Sequence, residues 1–400
     1  MANKICVTGL GIISAIVTHG EENVTALYNE KSGLACLQHL NSIHKELPVG
    51  EVALSDEDMK EMLQIPSDKI IARTTLLGIL AVKEACEQAQ IFSSDYKRIG
   101  LISGTTVGGM EKSESFYLDF LENNTKNEYI GIHDCGACTE GIARYFNNFH
   151  VVTTISTACS SAANAIILGS NMLKTGMLDA VVVGGAECLT KFHLNGFNTL
   201  MILDKAHCRP FDATRSGINL GEGAGYLVLE NEQSALARNV RPICTVAGYG
   251  NACDAYHQTA SSPDGKGAIL SMQKAIEMSG LDYADIDYIN AHGTGTANND
   301  LSEGTAMATL FKTMPPVSST KAFTGHTTSA AGGVESVLAI LAMKRGFLPA
   351  NLNFNSPMPE LDFIPIQHTI NNVEIKHLLK NSFGFGGNNS SIIFSDYPTH

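Results

Sequence analysis

A cysteine at a predicted strand–helix junction has the setting of a nucleophile. Cys159 follows a β-branched run at 151–155, which predicts a strand, and precedes a stretch at 160–174 that is apolar on nearly every side and predicts a buried helix. Free N–H groups and the helix dipole at such a junction would favour the thiolate, the nucleophilic form of cysteine. The alternative is that Cys159 is an ordinary buried cysteine.

Two histidines and a lysine in the second half of the chain could serve such a nucleophile. His292 ends a predicted strand and enters a Gly/Thr loop, and His326 follows Lys321 by five residues in a second turn of small residues. Imidazoles at these positions can donate hydrogen bonds to a carbonyl oxygen that becomes an enolate or an oxyanion. Lys321 could hold charge near His326, with Glu303 or Glu335 as its partner. The alternatives are structural histidines and an ordinary buried ion pair.

Composition limits the class of protein. The chain has 400 residues, of which 44% are hydrophobic and 17% charged, and this predicts a large hydrophobic core. The formal net charge of -13 argues against nucleic acid or an anionic membrane as the main partner. Ten cysteines without even spacing, and the lack of a signal-peptide pattern or a run of membrane length, predict a cytoplasmic protein.

The order of predicted elements starts again near residue 242. Three features of the first half recur in the second. The opening strand at 5–11 recurs at 243–250, and the strand–turn–buried helix unit at 151–176 recurs at 317–346. The closing strand at 226–230 recurs at 390–395. No Pro/Gly/Ser linker separates the halves. The sequence therefore predicts one layered α/β body, with the cysteine in residues 1–240 and both histidines and the lysine in residues 241–400.

Two further motifs carry weaker signals. Gly9-x-Gly11 has the start of a dinucleotide fingerprint, but Ser14 stands where the third glycine belongs. Cys135-x-x-Cys138 has the spacing of a metal or redox pair, but no second pair accompanies it. We expect neither a nucleotide site nor a metal site at these positions.

Six segments together resemble the elongating β-ketoacyl-acyl-carrier-protein synthases of the thiolase superfamily. They span almost the whole chain in the family's order: TGLGIIS at 8–14, STACSSAANA at 156–165, CRPFDATRSGINLGEGAG at 208–225, INAHGTGTANNDLSE at 289–303, SSTKAFTGHTTSAAGGVE at 318–335 and NSFGFGGNN at 381–389. The resemblance implies the thiolase fold, a five-layered αβαβα body of two similar halves, usually found as a homodimer.

The resemblance also implies a reaction. Cys159 would take an acyl chain from an acyl carrier protein as a thioester, and the backbone N–H groups of Cys159 and Phe385 would form the oxyanion hole. Malonyl carrier protein would then lose carbon dioxide while His292 and His326 stabilise the enolate. The carbanion would attack the acyl-enzyme and give a β-ketoacyl product two carbons longer.

Further residues receive roles from the same resemblance. Lys321 and Glu335 would set the charge and orientation of His326. The implied substrate-binding residues are Thr294 and Thr296 for the phosphopantetheine arm, Phe385 as a gate and Val107 in the acyl tunnel. No metal is expected in catalysis, although four residues match positions near a structural cation in some members: Asn290, Glu303, Glu335 and Asn381. No separate cofactor is expected, because the carrier protein brings the phosphopantetheine arm.

Departures from the family pattern bear on the substrate. Gly295 stands where the family usually has serine in the His-Gly-Thr-Ser-Thr loop, and the Cys-Ser-Ser run at 159–161 is closer to polyketide synthases. The segment GFNTLMILD at 196–204 resembles synthases of aryl polyene pigments. Fatty-acid, polyketide and aryl polyene synthesis therefore remain open, as do a homodimer and a heterodimer with a chain-length-factor-like subunit.

Two other functions are weighed against condensation. One is a non-catalytic partner subunit that shapes the tunnel of a ketosynthase heterodimer, but such subunits usually lack the cysteine. The other is a thiolase-fold enzyme acting on coenzyme A thioesters. A biosynthetic thiolase would need a second catalytic cysteine near the C-terminus, and the last cysteine here is Cys253.

Overall fold

The strands of the protein form one large sheet and one small one. The computed structural model describes residues 4–123 and 125–398. The strands within these residues are β1 (Ile5–Ser14), β2 (Ile99–Gly104), β3 (Val151–Ile155), β4 (Ala180–Glu187), β5 (Gly223–Asn231), β6 (Cys244–Cys253), β7 (Tyr288–Asn290), β8 (Val317–Ser318), β9 (Phe347–Leu348), β10 (Ile370–Asn371), β11 (His377–Gly384) and β12 (Asn388–Asp396).

The α-helices alternate with these strands along the chain. They are α1 (Gly20–Tyr28), α2 (Asp56–Met62), α3 (Arg73–Ala89), α4 (Met110–Glu122), α5 (Cys135–Phe146), α6 (Ser161–Lys174), α7 (Lys191–Thr199), α8 (Glu232–Ala237), α9 (Lys266–Ser279), α10 (Ala297–Leu310), α11 (Lys321–Thr324) and α12 (Ala331–Arg345). Among the described residues, no helix has both the length and the apolar character required to cross a membrane.

The large sheet shows that the chain is built from two similar halves. Its ten strands run in the order β3-β2-β4-β5-β1-β6-β12-β11-β7-β8, so that five strands of each half meet at β1 and β6. Equivalent pairs have the same relative direction: β2 with β4 and β7 with β11 are parallel, whereas β4 with β5 and β11 with β12 are antiparallel. The predicted duplication is confirmed.

Helices cover and separate the two halves of the sheet. The helix α3 packs on β1, β4 and β5, and α9 packs on β6 and β12 with α10 beside it. Between the halves lie α6 and α12, and each contacts strands of both halves. Their close contact depends on small residues, because a Cβ at Gly332 would lie only 2.5 Å from the backbone nitrogen of Ala163. The result is the expected five-layered αβαβα architecture.

The Gly9-x-Gly11 motif has a packing role. A Cβ added at Gly9 would lie 2.1 Å from the carbonyl oxygen of Ala85, and one at Gly11 would lie 1.9 Å from that of Ala81. Both glycines therefore let β1 lie directly against the backbone of α3. This accounts for the motif without a nucleotide.

Candidate active site

Cys159 lies in the tight turn between β3 and α6. Ala158, just before it, has a φ of 51°, in the left-handed region that residues with a side chain seldom adopt. The turn is held by Ser161, whose Oγ accepts a hydrogen bond from the backbone nitrogen of Thr157 at 2.8 Å and donates one to the carbonyl oxygen of Ala158 at 2.6 Å. The thiol is buried, and 6% of the residue is exposed. A constrained turn thus fixes the position of this sulfur.

The backbone N–H groups of Cys159 and Phe385 both act on the Cys159 sulfur, and each lowers the pKa of the thiol against the larger effect of burial. The second comes from the loop after β11, which approaches the Cys159 turn closely at Gly384. A Cβ added at Gly384 would lie 3.0 Å from the carbonyl oxygen of Thr157 and 3.2 Å from the nitrogen of Cys159. The structure therefore brings together the two N–H groups predicted to form an oxyanion hole.

Both predicted histidines lie beside this sulfur. Nε2 of His326 is 3.0 Å from Sγ of Cys159, and the imidazole rings of His326 and His292 are 5.3 Å apart at an interplanar angle of 80°. All three side chains are buried. In the part of the chain that the structure describes, they are the one group of potential metal ligands that lie within 4.8 Å of one another. Residues from both halves of the chain thus converge on one point.

Lys321 contacts His292, not His326. Its Nζ lies 3.2 Å from Nδ1 and 2.5 Å from the backbone carbonyl oxygen of His292, and 2.5 Å from Oε1 of Glu335. A protonated lysine is only a donor, so Nδ1 of His292 must accept and its ring proton must be on Nε2. The direct contacts of Lys321 thus fix the tautomer of His292, whereas its positive charge also acts on His326. The prediction that Lys321 and Glu335 set the orientation of His326 stays a prediction.

Burial decides the charge state of the three reacting groups. It raises the pKa of Cys159 to about 11, against the opposing effects of Lys321 and the two N–H groups. Burial, followed by the positive charge of Lys321, holds the pKa values of His292 and His326 well below the ordinary histidine value. Desolvation thus opposes the helix terminus, which was expected to favour the thiolate, and outweighs it. The resting pair is a neutral thiol beside a neutral imidazole.

The loop after His292 presents Thr294 and Thr296. Their hydroxyl groups are 2.8 Å apart, and buried Asp300 accepts hydrogen bonds from the backbone nitrogens of Thr294 and Gly295. Gly295 has a φ of 80°, and a Cβ there would lie 2.7 Å from the carbonyl oxygen of Gly217. The glycine that replaces the usual serine therefore fits the backbone of this loop.

A cavity of about 260 Å³ joins these groups. Its wall includes Cys159, His292, His326, Thr294, Thr296, Phe197 and Phe385. The rings of Phe197 and Phe385 stack with centroids 5.8 Å apart. Val107 is not part of this wall: it is buried in the core beneath α3, and its backbone nitrogen donates to Oε1 of Glu187 at 3.1 Å. Its assignment to the acyl tunnel stays a prediction.

Behind the cavity lies Lys380, a charged residue that the sequence analysis missed. Its Nζ is 2.7 Å from Oε2 of Glu335, so this one carboxylate is shared by Lys380 and Lys321. Glu303 accepts hydrogen bonds from the backbone nitrogens of His292 and Gly293 and from the amide of Asn381. The signal available in the sequence was a lysine inside the apolar strand that precedes NSFGFGG.

The residues expected near a structural cation fit a metal ion poorly. These residues are Asn290, Glu303, Glu335 and Asn381. Two of them already contact the ammonium of Lys380: Glu335 through a carboxylate oxygen and Asn381 through its backbone carbonyl oxygen. Oδ1 of Asn290 is buried without a hydrogen-bond partner among the described residues. Oε2 of Glu335 also has no hydrogen-bond partner there, but the ammonium of Lys380 lies 2.7 Å from it and leaves no place for a metal ion.

Comparison with known families agrees with this geometry. Residues 2–235 match the beta-ketoacyl synthase N-terminal domain, and residues 243–355 match the beta-ketoacyl synthase C-terminal domain. The chain belongs to the β-ketoacyl synthase family. As a β-ketoacyl synthase it is an acyltransferase, and the predictions of the thiolase fold and of a condensing enzyme in fatty-acid or polyketide synthesis are confirmed.

This β-ketoacyl synthase is similar over its whole length to known proteins. It is 30% identical to 3-oxoacyl-[acyl-carrier-protein] synthase 2 of Staphylococcus aureus (strain N315), with 98% of each chain covered. Among solved structures, the ishigamide ketosynthase/chain length factor matches with a TM-score of 0.92 at 28% identity, covering 100% of both chains. The ketosynthase ApeO in complex with its chain length factor ApeC from Xenorhabdus doucetiae matches with a TM-score of 0.87 at 29% identity, covering 99% and 98%.

Proposed function

We propose that this chain condenses a Cys159-bound acyl group with malonyl carrier protein by decarboxylative Claisen chemistry. The observation that carries the proposal is the convergence of Cys159, His326 and His292 on one cavity, with Sγ of Cys159 3.0 Å from Nε2 of His326. A thiol, a base and a fixed hydrogen-bond donor are what the two half-reactions require.

In the first half-reaction, Cys159 receives the acyl group. Its thiol proton passes to Nε2 of His326 as the sulfur attacks the thioester carbonyl. The N–H groups of Cys159 and Phe385 donate to the tetrahedral oxyanion. The bond between the carbonyl carbon and the pantetheine sulfur then breaks, and His326 returns the proton to the leaving thiolate.

In the second half-reaction, malonyl carrier protein loses carbon dioxide. The bond between its α-carbon and carboxylate breaks, and the electron pair forms an enolate whose oxygen accepts from Nε2–H of His292 and from His326. The enolate carbon attacks the acyl carbonyl, the bond to the Cys159 sulfur breaks, and a solvent proton restores the thiol. Thr294 and Thr296, on the cavity wall, hydrogen-bond the phosphopantetheine arm in both steps.

The substrate class is a longer acyl chain of the polyketide or polyene kind. Two similar structures, at 28% and 29% identity, are of a ketosynthase with a chain length factor. The stacked Phe197 and Phe385 rings line the same cavity and provide an apolar surface for such a chain. Phe197 belongs to the segment 196–204, which resembles the pigment synthases.

A second subunit completes the enzyme. The strand β3 is at the end of the sheet, and Val152 on it is 37% exposed. The helix α4 also exposes the apolar side chains Tyr117, Leu118 and Leu121. An exposed edge strand with apolar side chains is a surface that proteins usually cover. The partner here is a chain-length-factor-like subunit, with a second copy of the chain as the alternative, and acyl carrier proteins deliver both substrates.

The enzyme works in the cytoplasm and has no cofactor of its own. All ten cysteines are free thiols, which suits a reducing compartment. Condensation with loss of carbon dioxide needs no redox group, and the carrier protein supplies the phosphopantetheine arm.

An assay with separate readouts tests the proposal. Purified protein, alone and with a chain-length-factor subunit, is incubated with radiolabelled acyl and malonyl carrier proteins, and acyl-Cys159, carbon dioxide and β-ketoacyl product are measured. We expect all three from the wild type and no acyl-enzyme from Cys159→Ala. Cys36→Ser, a change at an exposed thiol, is the matched control. Absence of product in the presence of both carrier proteins and either partner would contradict the proposal.

A further inference from the structure

Two buried lysines share one buried carboxylate behind His292. Lys380, on β11, and Lys321, on α11, are each almost fully enclosed, and Glu335, on α12, lies between them. A buried ammonium is costly unless it is paired, and both lysines have the same anion as their ion-pair partner. The presence of a second buried lysine beside the same carboxylate therefore needs an explanation.

The donors of Lys321 are already committed. An ammonium has three N–H groups, and Lys321 uses them on Oε1 of Glu335, on the carbonyl oxygen of His292 and on Nδ1 of His292. None is left for Oε2 of Glu335. Without Lys380, that oxygen would be a buried carboxylate oxygen with no cation, and Glu335 would be free to turn toward Lys321 with both oxygens.

Lys380 is held in place by its own contacts. Its Nζ contacts Oε2 of Glu335 at 2.7 Å, Oγ of Ser382 at 3.2 Å and the carbonyl oxygen of Asn381. Together with Lys321, Glu335 and Glu303, it gives the cluster two ammonium groups and two carboxyl groups. The ammonium lies among the residues that were expected to surround a structural cation.

We propose that Lys380 is a positioning residue that serves as a built-in cation for Glu335 and so keeps Lys321 on Nδ1 of His292. Lys380 acts through Glu335 and Lys321 and does not touch the substrate. It makes the His292 arrangement independent of monovalent metal ions. The inference deepens the proposed condensation and rests on it for its kinetic part, whereas the cation binding can be tested without any activity.

The kinetic test compares three variants with the wild type. Lys380→Met removes the charge at similar size, Lys380→Ala leaves room for a small cation, and Lys380→Arg keeps the charge. Lys344→Met, which breaks a partly exposed ion pair with Asp396, is the matched control. Malonyl decarboxylation, acylation of Cys159 and thermal unfolding are measured with potassium, ammonium or tetramethylammonium as the only monovalent cation.

A positioning role predicts a selective loss. Lys380→Met should lower kcat for decarboxylation about tenfold to a hundredfold, as for residues that orient a catalytic ligand, with KM and Cys159 acylation little changed. Ammonium, but not tetramethylammonium, should restore Lys380→Ala, and Lys380→Arg should retain most of the rate. The wild type and Lys344→Met should not respond to the cation. Equal losses of acylation and decarboxylation that follow the unfolding temperature, or a wild-type rate in Lys380→Met, would overturn the proposal.

A crystallographic test separates this inference from the proposed function. Crystals soaked in thallium(I), a heavy monovalent cation, should show it beside Glu335 in Lys380→Ala and not in the wild type. Thallium beside Glu335 in the wild type, or its absence from Lys380→Ala, would contradict the role of Lys380. An inactive wild type with the expected thallium pattern would contradict only the proposed condensation.

Discussion

Nζ of Lys321 lies 3.2 Å from Nδ1 of His292, and this contact gives the two active-site histidines different capacities. His292 can present only Nε2–H to the cavity. Nδ1 of His326 has no hydrogen-bond partner among the described residues, so neither tautomer of that ring is imposed. His292 is thus a permanent donor, whereas His326 can accept the thiol proton and later donate. We infer that enolate stabilisation depends on both histidines and proton transfer from Cys159 on His326 alone.

Replacing Lys321 by Met should therefore reproduce the loss of His292. We expect Lys321→Met and His292→Ala to lower malonyl decarboxylation roughly a hundred- to a thousandfold, the effect of removing one oxyanion donor, with a much smaller effect on acylation of Cys159. His326→Ala should lower both steps. The two half-reactions are measured separately, as carbon dioxide release and as acyl-enzyme formed in a single turnover.

His377→Ala provides the control for these variants. This histidine is half-buried, bonds to Ser395 through Nδ1 and is not part of the cavity wall. It should leave both half-reactions unchanged. If Lys321→Met lost acylation as strongly as decarboxylation, or if His326→Ala acylated at the wild-type rate, the division of roles would be incorrect.

The pH dependence of Cys159 alkylation tests its charge state. Because burial raises the pKa of this thiol to about 11, the thiolate fraction increases throughout the range from neutral to alkaline pH. The rate of reaction with iodoacetamide should thus increase about tenfold per pH unit, with no plateau up to pH 10. Labelled peptides are quantified by mass spectrometry over this range.

Exposed cysteines require a modified background for this experiment. Cys36 and Cys253 are exposed, whereas Cys159 is buried, so both should react at least as fast as Cys159. The measurement is therefore made in Cys36→Ser/Cys253→Ser. A plateau of the Cys159 rate below pH 8 would mean that the two N–H groups and Lys321 outweigh burial after all.

Gly384→Ala should disturb the predicted oxyanion hole. The new Cβ would lie 3.0–3.2 Å from backbone atoms of Thr157 and Cys159, so the loop that carries the N–H of Phe385 must move away. We expect slower acylation of Cys159, by at most the hundred- to thousandfold seen when a donor is lost. The matched control is Gly136→Ala on α5, where nothing lies within 4 Å of the added Cβ. Equal acylation rates in the two variants would contradict the role of the Phe385 N–H.

Local patterns made much of this architecture predictable. The β-branched run before Cys159 and the apolar stretch after it correspond to β3 and α6, and the repeated order of elements correctly predicted two equivalent halves. The symmetry places His326, which follows β8, at the junction equivalent to that of Cys159, which follows β3. The role of His292, which follows β7, came from the family resemblance. The division into residues 1–240 and 241–400 stays a prediction.

The features that the sequence did not reveal share a physical cause, because each depends on residues that are distant in sequence. The charge state of Cys159 depends on burial by both halves, which no local pattern reveals. Glu335 was correctly among the predicted partners of Lys321, but the contact of Lys321 with His292 was missed, because His292 is 29 residues away in sequence and only the fold brings the two together. Lys380 was overlooked because its role depends on its contact with Glu335, which the sequence around this strand does not show.

Val107 offers a final test, of chain-length selection. It is buried in a core that includes Leu76 and Ile142, and a phenylalanine there must displace packed side chains of that core, at a cost of about 1–3 kcal/mol in unfolding free energy. We expect Val107→Phe to lower the unfolding temperature and to shorten the acyl chain that is accepted, because the displaced core narrows the tunnel. Cys159 alkylation should be unchanged. Leu236→Phe, at an exposed position on α8, is the control for added aromatic volume. Acylation with saturated and polyunsaturated carrier-protein thioesters of graded length gives the readout.

Two outcomes would contradict these assignments. If Val107→Phe accepted the same acyl-chain lengths as the wild type, Val107 would not be part of the tunnel. If the wild type preferred short saturated chains, the polyene assignment would be contradicted.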